Sequence, residues 1–120
     1  MCNTVKKETL ESIRLFANLY TKRTNTFLCK DLAVTATVLE GLARNKEEVG
    51  SALCPCRHYE DKSAEANLSY WTCPCVPMVE RKECHCMLFL TSDNSFSSTE
   101  QEIGYEKLED LVEKKIKLKA

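Results

Sequence analysis

The chain lacks the apolar run that a secretory signal peptide or a membrane-spanning helix requires. Its N-terminal stretch, MCNTVKKETLESIRLFANLY, becomes charged after five residues, whereas a spanning helix needs about 20 predominantly apolar residues. No leader rich in Ser and Arg precedes the folded part either. We therefore expect the mature chain to begin near Met1 and to work where it is made, in a reducing compartment.

The chain also lacks a strong charge of either sign. It carries 17 basic and 18 acidic side chains, and no cluster of Lys or Arg is dense enough to suggest a phosphate-binding surface. This balance argues against nucleic acid as a partner. The length of 120 residues predicts one domain over residues 1–120, with a modest core to which a metal or a cross-link would add stability.

Proline is absent outside one region, and that region holds most of the cysteines. Pro55, Pro74 and Pro77 are the only prolines, and they lie among three Cys-x-Cys pairs. Because proline interrupts helices, we expect loops there. Elsewhere, apolar residues at spacings of three and four predict helices over residues 5–20, 31–48 and 105–116.

The predicted helices have recognisable faces and ends. The first buries a stripe of Val5, Leu10, Ile13, Phe16, Ala17 and Tyr20, which Leu15 and Leu19 are predicted to widen. Asp31 is the expected N-cap of the second helix, and Gly50 lies just beyond its end. A short helix is predicted over residues 61–69, and the apolar residues 87–90 should dock on the core. The predicted fold class is mainly α, a small single domain whose helices carry cysteine-bearing loops.

Six of the eight cysteines form three Cys-x-Cys pairs: Cys54 with Cys56, Cys73 with Cys75, and Cys84 with Cys86. In a reducing compartment such cysteines indicate metal ligands or redox thiols. If the backbone of a pair is extended, its two Cα atoms lie roughly 6 to 7 Å apart, at the outer limit for a disulfide. Each pair therefore offers two neighbouring sulfurs that resist bonding to one another.

The number of paired cysteines favours two sites of different kinds. A 4Fe–4S cluster takes four thiolates, and the two remaining thiols make one redox-active disulfide. The alternative is a non-catalytic zinc-binding interaction module, although zinc ligands are usually separated by two to four residues. The residues alone leave open which cysteines belong to which site.

The strings CPCRHYEDK, WTCPCVPM and ERKECHCMLFLT, in this order, closely resemble the catalytic chain (beta subunit) of ferredoxin:thioredoxin reductase. The similarity extends upstream through FLCKDLAVTATVLEGLAR, and residues 1–15 and 97–120 carry the least of it. Two positions depart from the family pattern as we know it. Cys2 lies outside the family's set of cysteines, and Val79 stands where an arginine is expected.

The resemblance implies a role for each site residue. The family's 4Fe–4S ligands fall on Cys54, Cys73, Cys75 and Cys84. Its redox-active disulfide falls on Cys56, the nucleophile that attacks thioredoxin, and on Cys86, the thiol held against the cluster. His85 would donate or accept a proton near both centres. Cys29 fits a buried structural thiol.

The resemblance also implies a reaction and its partners. Reduced ferredoxin would supply electrons through one cluster per chain and the adjacent disulfide to reduce thioredoxin, an oxidoreductase activity in light-dependent redox regulation. A smaller variable subunit would complete a heterodimer. The expected location is the chloroplast stroma, for a plastid-encoded protein, or the cyanobacterial cytoplasm. No nucleic acid or membrane partner is expected.

Overall fold

Five α-helices form the regular structure in a computed structural model that describes residues 5–55, 58–84 and 86–119, with only the backbone described for residues 114–119. They are α1 (Lys7–Thr24), α2 (Leu32–Val49), α3 (Lys62–Leu68), α4 (Val76–Arg81) and α5 (Tyr105–Lys119). Extended pairing within these residues is limited to isolated antiparallel bridges: Phe27 with Leu90, Cys29 with Ser97, and Leu53 with Thr72. The predicted mainly helical class is confirmed.

Helix α1 presents one stripe of side chains to the core. Leu10, Ile13 and Ala17 are buried and follow the spacing of an amphipathic helix. Leu15 and Leu19, which we predicted to widen this stripe, are 54% and 56% exposed, so that prediction is wrong. Each lies two residues beyond a buried position, and at about 100° per residue this places its side chain on roughly the opposite side of the helix.

Helix α2 contacts both α1 and α5 and has the two ends that the sequence predicts. The Asp31 carboxylate accepts a hydrogen bond of 3.0 Å from the backbone N–H of Ala33. At the other end Gly50 has a φ of 80°, a left-handed conformation that favours glycine. Leu39 and Leu42 are fully buried. The helix therefore forms the centre of the core, and it also borders the cysteine-bearing segment.

Two short helices lie in the cysteine-bearing segment. α3 coincides with the helix predicted over residues 61–69, and the Asp61 carboxylate caps it by accepting from the backbone N–H of Ala64 at 3.1 Å. α4 begins directly after Cys75, where we had predicted a loop. That prediction is wrong because Pro77 occupies the first turn of α4, where its missing N–H costs no intrahelical hydrogen bond.

The chain after the last cysteine pair returns to the core. Leu88, Phe89 and Leu90 are buried, as we predicted for residues 87–90. The backbone N–H groups of Phe27 and Leu90 each donate to the carbonyl of the other residue, at 2.7 and 2.9 Å, and so join this segment to the end of α1. α5 then packs on α2, which confirms the helix predicted near the C-terminus. Among the described helices, none has both the length and the apolar character needed to cross a lipid bilayer.

Candidate functional site

Five of the predicted site cysteines line one cavity. Cys54, Cys73, Cys75 and Cys84 all lie in its wall, and none of these four forms a disulfide. The wall also contains Cys86 and a set of apolar side chains: Val38, Leu42, Pro55, Pro74, Met78, Leu88 and Phe89. In the part of the chain that the structure describes, no three Cys, His, Asp or Glu side chains converge on a single-ion position. The fold thus brings thiols from all three Cys-x-Cys pairs to one apolar space.

A short antiparallel bridge aligns the first pair with the second. The backbone N–H of Cys54 donates to the carbonyl of Trp71 at 2.9 Å, and the N–H of Cys73 donates to the carbonyl of Ala52 at 2.8 Å. These bonds flank the bridge between Leu53 and Thr72. The backbones that carry Cys54 and Cys73 are therefore held side by side, although 19 positions separate them in the chain.

Cys75 is positioned by the start of α4. It is the N-cap residue, with an extended φ and ψ of −68° and 163°, and its carbonyl accepts the first helical bond, from the N–H of Val79 at 3.0 Å. The N–H of Val76 donates outside the helix, to the carbonyl of Tyr70 at 3.0 Å. The Cys73–Pro74 peptide bond that precedes Cys75 is cis. Helix α4 thereby holds Cys75 in the cavity wall.

Backbone groups of residues 86–89 lie next to the Cys84 sulfur. The N–H of Met87 donates to the carbonyl of Cys84 at 3.1 Å, and Met87 has a left-handed φ of 61°. Backbone N–H groups of Phe89, Leu88 and Cys86 are within hydrogen-bonding reach of the Cys84 thiol. Such donors stabilise a thiolate and tune a bound metal centre. The same turn carries Cys86 into the cavity wall.

Burial is the largest influence on the pKa values of the Cys73 and Cys84 thiols. It raises the pKa of Cys73 well above its ordinary value, and the neighbouring thiols of Cys84, Cys54 and Cys75 raise that pKa further. Burial also raises the pKa of Cys84, and the backbone N–H groups around it act in the opposite direction. Several buried thiols ionise together when a metal centre compensates their negative charge. Cys54, Cys73, Cys75 and Cys84 are therefore the residues that could hold such a centre.

Cys86 differs from these four cysteines because it is disulfide-bonded. It is 6% exposed, and its Sγ atom lies 2.9 Å from the Sγ atom of Cys54. No other cysteine that the structure describes forms a disulfide, so the partner of Cys86 lies outside the described residues. A disulfide sulfur thus contacts the thiol of a candidate metal ligand inside an apolar wall.

The remaining sequence predictions divide into two groups. Cys29 is buried and forms no disulfide, as we predicted for a structural thiol. Its backbone forms an isolated antiparallel β-bridge with Ser97, and it does not line the cavity. Cys56, His85 and Cys2 lie outside the described residues, so their predicted roles stay predictions. Val79, at the position where an arginine is expected, is exposed on α4.

The cysteine pattern did not reveal two aromatic residues beside the cavity. Phe89 lines it, and the ring centroid of Tyr20 lies 4.8 Å from that of Phe89. Burial raises the pKa of Tyr20, and the charges of Cys73, Cys75 and Cys84 raise it further. In the sequence Tyr20 belongs to the apolar stripe of the first helix, so its only signal was that of a core residue.

Cys84 also faces an open cleft of about 540 Å³. Cys84 and Phe89 line both this cleft and the cysteine cavity. Trp71 lines the cleft too, as do Arg81 at the end of α4 and the adjacent Lys82. Cys84 is therefore the cavity cysteine that also borders this cleft.

Known proteins resemble the chain over most of its length. The family model described as "Ferredoxin thioredoxin reductase catalytic beta chain" matches residues 3–111. The catalytic chain of ferredoxin-thioredoxin reductase from Synechocystis sp. is 61% identical over 109 residues, which cover 91% of this chain and 92% of that protein. The corresponding chain of Pyropia yezoensis is 65% identical over 96 residues, covering 80% and 83%. The chloroplastic chain of Oryza sativa subsp. japonica is 53% identical over 107 residues, covering 89% and 73%.

Proposed function

Because this chain belongs to the ferredoxin thioredoxin reductase catalytic beta chain family, we propose that it is the catalytic subunit of a ferredoxin:thioredoxin disulfide reductase. In this role it takes electrons from reduced ferredoxin and uses them to reduce the disulfide of thioredoxin. One observation carries the proposal. The thiols of four cysteines and the sulfur of a disulfide share the wall of a single apolar cavity.

The cofactor that we propose is one 4Fe–4S cluster per chain, held by Cys54, Cys73, Cys75 and Cys84. The donor set fits this group, because four cysteine thiols in an apolar wall are the ligands that iron–sulfur clusters take. The N–H groups directed at Cys84 are the kind of outer contact that adjusts a cluster's potential. When bound, the cluster supplies one-electron chemistry next to the disulfide.

The disulfide that we propose joins Cys86 to Cys56. Two cysteines lie outside the described residues, Cys2 and Cys56, and Cys56 follows Cys54 by only two positions. Since the sulfurs of Cys54 and Cys86 are 2.9 Å apart, a cysteine two residues after Cys54 is the nearer candidate along the chain. The family resemblance supports the same pairing.

The two disulfide cysteines have different tasks in the proposed reaction. Two successive one-electron deliveries from ferredoxin open the disulfide. The Cys56 thiolate then attacks one sulfur of the thioredoxin disulfide and forms a mixed disulfide, while the other thioredoxin sulfur leaves as a thiolate. Cys86 next attacks the Cys56 sulfur, which restores the Cys56–Cys86 disulfide and releases the second thioredoxin thiol. His85 carries the protons, because an imidazole titrates near the working pH.

The energy balance favours this direction of electron flow. A plant-type ferredoxin has a potential of about −400 mV, and thioredoxin one of about −270 mV. The difference of about 130 mV corresponds to roughly 6 kcal/mol for two electrons. The driving force is therefore ample, and the protein's task is to deliver electrons singly while keeping the opened thiols apart from side reactions.

The proposed partners extend beyond the two substrates. A smaller variable subunit forms a heterodimer with this chain, as the resemblance implies. Ferredoxin docks at the cleft beside Cys84 in this proposal. Cys84 lines both the cleft and the cysteine cavity, so electrons have a short route there. The proposed location is the chloroplast stroma or the cyanobacterial cytoplasm, where the reductase takes part in light-dependent redox regulation.

Metal analysis and turnover test this function together. The chain is purified without oxygen and its iron, zinc and acid-labile sulfide are measured. About four iron atoms and four sulfides per chain are expected for a cubane, whereas one zinc without sulfide would indicate the zinc-binding interaction module instead. With the variable subunit, reduced ferredoxin and oxidised thioredoxin, thioredoxin thiols should appear. Their absence from a cluster-loaded preparation would overturn the proposed activity.

A further inference from the structure

One face of α2 packs against the segment that carries Cys54 and Pro55. Val38 and Leu42 line the cysteine cavity, and Gly41 and Asn45 lie at the adjoining positions of the same helix. A Cβ atom at Gly41 would stand 2.5 Å from Cβ and 2.9 Å from Cγ of Pro55. Carbon atoms in favourable contact are about 3.5 to 4.0 Å apart. The proline ring therefore occupies the space that any side chain at position 41 needs.

The backbone of Gly41 gives no other reason for a glycine. Its φ is not in the left-handed range, unlike that of Gly50, so an L-residue could adopt the conformation. In the interior of a helix alanine is intrinsically preferred to glycine. The close approach of Pro55 is therefore the structural reason for a glycine at position 41.

The residues just before Pro55 are held independently of Gly41. Asn45 donates from Nδ2 to the carbonyl of Leu53 at 2.9 Å. The Tyr59 hydroxyl donates to the carbonyl of Cys54 at 2.7 Å, and the N–H of Cys54 donates to Trp71. A side chain at position 41 could not push this whole segment away without breaking these bonds. The displacement would fall on Pro55, which directly precedes Cys56 in the sequence.

We propose that Gly41 is a positioning residue for the redox disulfide. Its missing side chain seats Pro55 on α2 and thereby sets where the chain enters Cys56, while Cys54 is held by its own hydrogen bonds. This inference rests on the proposed function, because it assigns Cys56 to the disulfide. A side chain at position 41 would disturb the disulfide and leave the metal ligands in place. The disulfide and the metal site should therefore respond differently to this substitution.

Gly41→Ala in the full, cluster-loaded chain tests the inference. Iron and sulfide content should equal those of the wild type. The rate of thioredoxin reduction should fall about tenfold, since a misplacement of about 1 Å can cost up to about a hundredfold. The midpoint potential of the disulfide, measured by equilibration with a thiol buffer and thiol labelling, should shift. Gly104→Ala is the matched control, because a Cβ there meets no atom within 4 Å and φ is not left-handed; it should change none of these readouts.

A second substitution shows whether the Pro55 contact is the cause. Pro55→Gly removes the ring atoms that the added methyl group at position 41 would meet. In its presence Gly41→Ala should change the rate by less than about twofold, which is the rescue expected of two residues in direct contact. If Gly41→Ala alone fails to fold, the double variant should fold.

Three results would overturn the inference. They are an unchanged potential and rate in Gly41→Ala, a loss of iron in that variant, and failure of Pro55→Gly to rescue it. If the wild-type chain cannot reduce thioredoxin, the proposed function is wrong. The disulfide potential of Gly41→Ala, compared with that of the wild type, would still test the role of Gly41.

Discussion

The Sγ atom of Cys86 lies 2.9 Å from the Sγ atom of Cys54, 32 positions earlier in the chain. The first sulfur belongs to a disulfide and the second does not. In the proposed function, redox chemistry and metal binding would therefore meet at these two sulfur atoms. Variants of this site are therefore best judged by metal content and thiol chemistry together, because either property alone would not show which half of the site has changed.

Replacing Cys73 by Ser should remove the metal centre. Cys73 lines the cavity together with the other three proposed ligands, and a neutral hydroxyl is a poor substitute for a thiolate on iron. Iron and sulfide should fall to a small fraction of the wild-type content. The urea midpoint should fall with them, because the free energy of metal binding contributes to folding. Cys29→Ser, at a buried thiol outside the cavity wall, should keep its iron; a Cys73→Ser chain with full iron would contradict the ligand assignment.

Replacing Cys56 by Ser should abolish thioredoxin reduction and leave the iron content intact. The reason is that serine cannot form the mixed disulfide that the exchange requires. Cys86 should then become reactive toward a thiol label in the resting protein, as mass spectrometry of the labelled chain would show. Cys2→Ser serves as the control and should retain turnover. Turnover by Cys56→Ser would mean that another cysteine is the nucleophile.

Replacing His85 by Tyr should change how the rate depends on pH. If the imidazole transfers protons, the wild-type profile carries a limb near the ordinary histidine pKa of about 6.5. His85→Tyr should lose that limb and slow turnover by about 10²-fold or more. His58 is the other histidine of the chain and is exposed, so His58→Tyr is the comparison. Equal pH profiles in the wild type and His85→Tyr would count against the proton role.

Replacing Asn45 by Ala should destabilise the chain by about 1–3 kcal/mol. Asn45 is buried and donates to the carbonyl of Leu53, which would be left without this donor. Lys62 would also lose its contact with Asn45 Oδ1, at 2.8 Å. Denaturant unfolding measures the change. Lys46→Ala, at the exposed neighbouring position of α2, should stay within about 0.5 kcal/mol; an equal loss in both variants would argue against the bond to Leu53.

The sequence correctly predicted those features of the helices that depend on residues close together in the chain. Asp31 and Gly50 bound α2 as expected, because capping depends on residues within one turn. Leu15 and Leu19 were assigned to the wrong face of α1, since an apolar side chain reads the same in the sequence whether or not a neighbouring element covers it. Helix α4 was missed because a proline near its start resembles a helix breaker.

The amino-acid sequence by itself determined the chemical inventory of this protein: three Cys-x-Cys pairs, the prolines between them, and the periodicity of the long helices. Only the tertiary structure decided which thiols share a cavity, that Cys86 touches Cys54, and that Pro55 rests against Gly41. The physical reason is distance along the chain. Helix periods and caps are set by neighbours a few residues apart, whereas these contacts join distant segments and arise when α2, α4 and the cysteine-bearing loops pack into one core.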